Sequence, residues 1–206
     1  MPREYTSTVV RYPTDRSSYA ELVPIARSYL PQSESYVLIA ESFSAPIAIQ
    51  IAASHPRNLR GVVLCAGFAA SPLSGIMRRI VLFFAPLLLN LKLGDFAASL
   101  FLVGPSASKE LIAAVRRTVG SLPSSVLAER LKDVLACDVR QQLPAIDVQI
   151  LCLKATQDRL VGSSCLDEVI RSTSQSMLKE IEGPHLILQR EPTQCAEAIA
   201  DFIKQL

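Results

Sequence analysis

Short apolar runs alternate along the chain with segments of helical periodicity. The runs lie at residues 8–12, 36–40, 61–66, 148–153 and 177–181. Continuous apolar runs of this length are typical of strands that are buried on both faces of a sheet. We therefore predict an α/β protein with about five strands in a mostly parallel sheet, flanked by helices.

The segments between these runs have helical patterns. Apolar residues recur at helical spacing from Leu22 to Leu30, after a serine pair, Ser17 and Ser18, that can cap a helix. Residues 42–54 and 192–204 are also predicted helices. Residues 73–140 are Leu-rich, lack a strand pattern and are interrupted by prolines and glycines. We therefore expect an α/β core of residues 1–72 and 141–206, with residues 73–140 inserted as a helical lid.

The most apolar part of this lid is residues 80–91, which Pro86 interrupts. A membrane-spanning helix needs about 20 apolar residues, so we interpret the stretch as a buried or lid helix. A helix in a lipid interface is the alternative. The lid also carries a net positive charge, and its apolar faces are expected to pack on the sheet and line a ligand pocket.

Composition excludes several classes of function. Half of the 206 residues are hydrophobic, which favours a packed globular core. The net charge is +2, tryptophan is absent and no run of Lys or Arg occurs, so a nucleic-acid partner is not expected. The N-terminus has no apolar stretch typical of a signal peptide, which favours a cytoplasmic location.

Cysteine and histidine usage gives no sign of a metal site or a disulfide framework. The five cysteines are odd in number and form no CxxC pair, and His55 and His185 lack ligand spacing. We therefore expect a reducing compartment, no bound metal and no cofactor.

One serine lies at a predicted strand-to-helix turn. The sequence AESFS, with Ser42 at its centre, joins a buried run directly to a helix. A turn this tight needs small residues two positions before and after the serine, and Ala40 and Ser44 meet that need. Ser42 is therefore a candidate nucleophile. The simpler interpretation is that it only caps the helix.

An acid and a histidine follow later strands. Asp158 lies in ATQDRLV after the run at 148–153, and His185 lies in EGPHL after the run at 177–181. The carboxyl ends of parallel strands meet at one edge of a sheet, so we expect all three side chains there. Asp158 as a turn former and His185 as a surface loop residue are the simpler alternatives.

Other candidates for these roles have weaker positions. Asp138 and Asp147 do not follow a predicted strand. His55 precedes Pro56 at a helix terminus and is expected to be solvated, as is Glu182.

The motifs AESFSAP, ATQDRLV and EGPHL resemble those of the α/β-hydrolase superfamily of serine esterases. The likeness covers nearly all of the chain, with residues 73–140 in place of the variable cap. It implies that Ser42 is the nucleophile, His185 the general base and Asp158 the acid. It also implies that the backbone N–H of Phe43 is one oxyanion donor.

The resemblance also predicts a gap. The second oxyanion donor of the family comes from a glycine-containing loop and strand that have no counterpart before residues 8–12. Without that strand, residues 8–12 should pair directly with 36–40, or the sheet should keep an exposed edge that invites a homo-oligomer. Losing one donor typically costs about 10²–10³ in rate. We therefore expect a truncated or divergent hydrolase.

Three functions follow as hypotheses. The first is hydrolysis of a small-molecule carboxylic ester or thioester with an apolar acyl group, through an acyl-enzyme and without a cofactor. The second is a non-catalytic or weakly active protein that keeps the fold and binds a ligand or partner. The third is a lipid-surface protein that uses residues 80–91, although membrane association is the least expected.

Overall fold

One parallel sheet organises the chain. The computed structural model describes residues 5–73, 75–76, 78–81 and 99–206. Four strands pair in the order β1-β2-β3-β4, and every pairing is parallel. The strands are β1 (Tyr36–Glu41), β2 (Leu59–Cys65), β3 (Gln149–Ala155) and β4 (Ser176–Ile181). The predicted α/β class and parallel sheet are confirmed.

Helices connect and cover these strands. They are α1 (Tyr19–Ser28), α2 (Ala45–Ala52), α3 (Lys109–Gly120), α4 (Ser124–Ala136), α5 (Ser164–Ser172), α6 (Ile187–Arg190) and α7 (Pro192–Ile203). The helix α1 begins at a capping box, in which the Ser18 hydroxyl accepts a hydrogen bond from the Glu21 N–H. The Glu21 carboxylate in turn accepts one from the Ser18 N–H at 3.1 Å. This satisfies two backbone donors that a helix start otherwise leaves free.

Residues 8–12 form no strand, so this part of the prediction is wrong. Within the described ranges the sheet ends at β1 and has four strands instead of about five. Val9 is 74% exposed, whereas Val10 and Tyr12 pack against the core. A strand is defined by backbone bonds to a neighbour, and side-chain packing alone holds this segment. Within the described residues, residues 8–12 therefore do not pair with β1, and the backbone edge of β1 is left unpaired.

The strands separate two apolar layers. On β2, Val62 and Leu64 face a layer formed with α1 and α2, while Val63 and Cys65 face the layer under α7. β3 alternates in the same way. Both faces are therefore buried at the two central strands, whereas Ile39 on β1 is 39% exposed because this strand lies at the edge.

The predicted lid lies between β2 and β3. Of the apolar stretch 80–91, only residues 80 and 81 belong to the described residues. The described remainder of the predicted lid contains the helices α3 and α4. An isolated antiparallel bridge joins Ala70 to Asp138. The division into core and lid stays a prediction. Among the helices that the structure describes, none has the length and apolar character needed to cross a bilayer.

The helix α4 is fastened to the start of α1. A carboxylate oxygen of Asp133 accepts a hydrogen bond of 2.7 Å from the Tyr19 N–H, at the positive end of the α1 dipole. The Arg130 guanidinium donates to the carbonyls of Pro13 and Arg16 at 2.8 and 2.9 Å. These bonds connect the segment between β2 and β3 to the N-terminal part of the core.

Replacing Gly67 tests the packing behind the turn that follows β1. A Cβ added at Gly67 would lie 2.8 Å from the Cβ of Ala45, the first residue of α2. Both atoms are attached to backbone, so Gly67→Ala should shift the chain and lower the free energy of unfolding by about 1–3 kcal/mol. Urea denaturation measures this change.

The matched control is Gly120→Ala. A Cβ there meets no atom within 4 Å, and alanine is the better helix former, so no loss of stability is expected. Equal stability of Gly67→Ala and the wild type would contradict the close approach.

Candidate active site

Three side chains from three strand ends meet at the carboxyl edge of the sheet. Ser42 follows β1, Asp158 follows β3 and His185 follows β4. The Nε2 atom of His185 lies 2.6 Å from the Ser42 Oγ, and its Nδ1 atom lies 2.7 Å from a carboxylate oxygen of Asp158. The structure therefore brings together the three residues that the sequence singled out.

Ser42 occupies a strained turn. Its φ angle is +52°, a left-handed backbone conformation that residues other than glycine rarely adopt. A 3-10 turn, Ser42–Ser44, leads directly from β1 into α2. Ala40 is buried before this turn, which agrees with the need for a small residue there. The Ser42 hydroxyl bonds to His185, whereas Ser44, at the cap position of α2, makes no side-chain capping bond.

Asp158 divides its two carboxylate oxygens between backbone and ring. One oxygen accepts from the N–H groups of Leu160 and Val161 at 2.8 and 2.9 Å, and the other faces His185. The Asp158 side chain is only 5% exposed. Because an ionised carboxylate only accepts hydrogen bonds, Nδ1 of His185 donates to it. Nε2 is then left to accept the Ser42 hydroxyl proton.

His185 reaches Ser42 through a loop that is held by backbone contacts. The His185 side chain is 2% exposed, and the carbonyl of Gly183, two residues earlier, accepts from Gln157 at 2.9 Å. The N–H of Leu186 donates to the Leu102 carbonyl at 2.9 Å. The loop is thus fixed both to the Asp158 loop and to the segment that precedes α3.

The weaker candidates lie apart from this cluster. Asp147 pairs with His55 at 3.0 Å, and both side chains are more than half exposed. Asp138 pairs with Arg140 at 2.6 Å on the surface. Glu182 is exposed as expected. None of these contacts involves Ser42.

Phe43 lies in an aromatic cluster beside Ser42. Its ring stacks on Tyr19 at 5.0 Å between centroids and meets Tyr12 edge-on at 6.2 Å. The Arg130 guanidinium lies 5.6 Å from the Phe43 centroid, a cation–π contact. Phe43 also belongs to the first helical turn, where N–H groups have no acceptor within the turn. Its predicted role as an oxyanion donor stays a prediction.

The cysteines do not compete with Ser42 as nucleophiles. Burial raises the pKa of all five thiols, which are Cys65, Cys137, Cys152, Cys165 and Cys195. A thiol with a raised pKa stays protonated at neutral pH and is a poor nucleophile. Across the part of the chain that the structure describes, no group of His, Cys, Asp and Glu side chains has the arrangement of a metal site.

One polar residue at this edge escaped the sequence analysis. Glu41 precedes Ser42, and its carboxylate accepts hydrogen bonds from the Leu188 N–H at 3.2 Å and the Gln189 side chain at 2.9 Å. Burial raises the pKa of Glu41. The available signal was a lone carboxyl at the end of the apolar sequence YVLIAE. Its partners are far away in the chain, so the sequence did not point to them.

Comparisons with known proteins identify the fold. No family model matches the sequence, and no curated protein is significantly similar to it. A solved structure of a hydrolase from Oleispira antarctica matches with a TM-score of 0.80 at 14% identity, over 92% of this chain and 73% of that one.

Two further solved structures agree. An enol-lactonase from Burkholderia xenovorans matches with a TM-score of 0.75 at 16% identity, over 91% of this chain and 73% of that one. An esterase from Exiguobacterium antarcticum matches with a TM-score of 0.74 at 16% identity, over 93% of this chain and 76% of that one. The chain therefore has the α/β-hydrolase fold, as the resemblance implied.

The division of the Asp158 oxygens predicts the effect of Asp158→Asn. Two backbone N–H groups hold one side-chain oxygen, so the amide NH2 should face Nδ1 of His185. The ring must then accept at Nδ1 and carry its proton on Nε2, where it cannot take the serine proton. The rate at which Ser42 reacts with a fluorophosphonate should fall by about 10⁴-fold.

The matched control is Asp147→Asn, which changes the same chemical group on an exposed residue beside His55. It should react at the wild-type rate. If Asp158→Asn also reacts at that rate, the inferred tautomer is wrong.

Proposed function

We propose that this protein is a serine hydrolase that cleaves the carboxylic ester or thioester of an apolar acyl group. The observation that carries the proposal is the unbroken hydrogen-bond series from Ser42 through His185 to Asp158, at 2.6 and 2.7 Å. A hydroxyl becomes nucleophilic when a base takes its proton and an acid orients that base. The names of the structurally similar hydrolase and esterase agree with this class.

In the proposed reaction the Ser42 Oγ attacks the acyl carbon while Nε2 of His185 takes the hydroxyl proton. Asp158 holds the ring and stabilises the imidazolium. The tetrahedral intermediate collapses, and the alcohol or thiol leaves with the proton from His185, so an acyl-enzyme remains. Water then attacks the acyl group with His185 again as the base. The carboxylic acid leaves and Ser42 recovers its proton.

The N–H of Phe43 is the proposed donor to the oxyanion. The Phe43 ring contacts Tyr19, Tyr12 and Arg130, and this packing limits movement of the Phe43 backbone. A fixed donor needs no reorganisation during the reaction, which is the main advantage of an oxyanion hole.

The alternative is a weakly active or non-catalytic protein that binds a ligand in the same place. The observation in its favour is that, within the described residues, no strand lies outside β1 to carry a second oxyanion donor. One missing donor typically lowers the rate by about 10²–10³. A homo-oligomer formed through the edge of β1 and a cytoplasmic location stay predictions from the sequence.

Replacement of the nucleophile tests the proposal. Wild-type protein should hydrolyse a short-chain p-nitrophenyl ester and react with a fluorophosphonate probe, because only an activated serine does both. Ser42→Ala should abolish labelling and reduce hydrolysis to the background. Mass spectrometry of the labelled protein should place the adduct on Ser42.

The matched control is Ser121→Ala, which removes an exposed hydroxyl that donates to the Thr118 carbonyl. It should behave as the wild type. Equal hydrolysis by the wild type and Ser42→Ala rejects the catalytic proposal. Absence of labelling in a folded wild-type protein favours the ligand-binding alternative.

A further inference from the structure

The histidine and the serine come from opposite edges of the sheet. Ser42 follows β1 and His185 follows β4, with β2 and β3 between them. Parallel strands lie about 4.8 Å apart, so these two strand ends are separated by about 14 Å. The loop after β4 therefore has to return across the ends of two strands before the His185 ring reaches Ser42. A contact that fastens this loop to β1 controls the approach of the base.

Glu41 makes that contact. We propose that Glu41 is a positioning residue that holds His185 against Ser42 by binding the first turn of α6; this inference rests on the proposed function. Glu41 is the last residue of β1, and its carboxylate joins the strand to Leu188 and Gln189. It thus connects the two opposite edges of the sheet at the level of the nucleophile.

The helix α6 depends on Glu41 for part of its start. The preceding residue, Leu186, makes no side-chain capping bond, and the Glu41 carboxylate accepts the Leu188 N–H in its place. The first turn continues directly from the histidine, because the Ile187 N–H donates to the His185 carbonyl at 3.0 Å. Movement of this turn away from β1 therefore carries His185 with it.

The surroundings of Glu41 make this contact costly in stability. Burial raises the pKa of Glu41, while the hydrogen bonds from Gln189 and Leu188 oppose the rise. The other titratable neighbours are the thiols of Cys65 on β2 and Cys195 on α7, which burial keeps protonated. A desolvated carboxylate lowers stability unless hydrogen bonds compensate, and the bonds that compensate here come from Leu188 and Gln189 in the turn that follows His185.

Two substitutions separate positioning from folding. Glu41→Ala removes both acceptor oxygens, so kcat per folded molecule should fall by about 10- to 100-fold with KM unchanged. Glu41→Gln keeps an oxygen that can accept the Leu188 N–H and should restore most of that kcat. The folded fraction of each variant is measured by thermal unfolding.

The matched control is Glu182→Ala, which removes an exposed carboxylate three residues before His185. Its kcat should equal that of the wild type. If Glu41 has only a structural role, Glu41→Ala should change only the folded fraction. A kcat per folded molecule of Glu41→Ala that equals the wild-type value therefore overturns the proposal.

A second measurement does not depend on activity. Amide hydrogen exchange at Leu188 should be slow in the wild type and in Glu41→Gln, and faster in Glu41→Ala. Equal protection in all three overturns the positioning contact. If the wild type hydrolyses no ester while Leu188 shows this pattern, the contact stands and the proposed function is what fails.

Discussion

The hydrogen bond between His185 and Ser42 is the interaction on which the site depends, and it is a long-range one. Its partners are 143 positions apart in sequence and belong to strands at opposite edges of the sheet. Parallel pairing places all strand ends at the same level, but it leaves about 14 Å between the first and the fourth strand. The loop after β4 closes that distance. Its contacts with Gln157, Leu102 and Glu41 hold the loop where the His185 ring lies within hydrogen-bond distance of Ser42.

The turn at Ser42 depends on packing elsewhere in the same way. A serine at φ +52° costs of order 1–3 kcal/mol and persists only where the surroundings hold it. Here the support is the end of β1, with the buried Ala40, on one side and α2 on the other, with Gly67 leaving room for Ala45. The stacking of Tyr19 on Phe43 supports the residue that follows Ser42. The same contacts therefore hold the strained serine and the Phe43 backbone next to it in place.

Within the described residues, the sheet ends at β1, and no further strand pairs with it. The two central strands are buried on both faces, and the elements that carry Ser42, Asp158 and His185 are all present. Outside β1, residues 8–12 pack through Val10 and Tyr12 but do not pair. The segment still contributes Tyr12, whose hydroxyl donates to the Ser44 hydroxyl at 3.3 Å. It supports the site through side chains without extending the sheet.

The sequence by itself predicted the four strands, the helices α1, α2 and α7, and the strand-end positions of Ser42, Asp158 and His185, but not the helix α5 between β3 and β4. Local patterns carry this information, since apolar runs mark strands and strand ends mark the edge where such residues meet. The failure at residues 8–12 has the same origin: a β-branched run indicates the capacity to pair, but only the tertiary structure decides whether a neighbouring backbone is within reach. The contacts of Glu41 likewise depend on the tertiary structure alone, because its partners Leu188 and Gln189 lie 147 and 148 positions away. No local pattern encodes a contact that exists only once β1 and α6 have packed together.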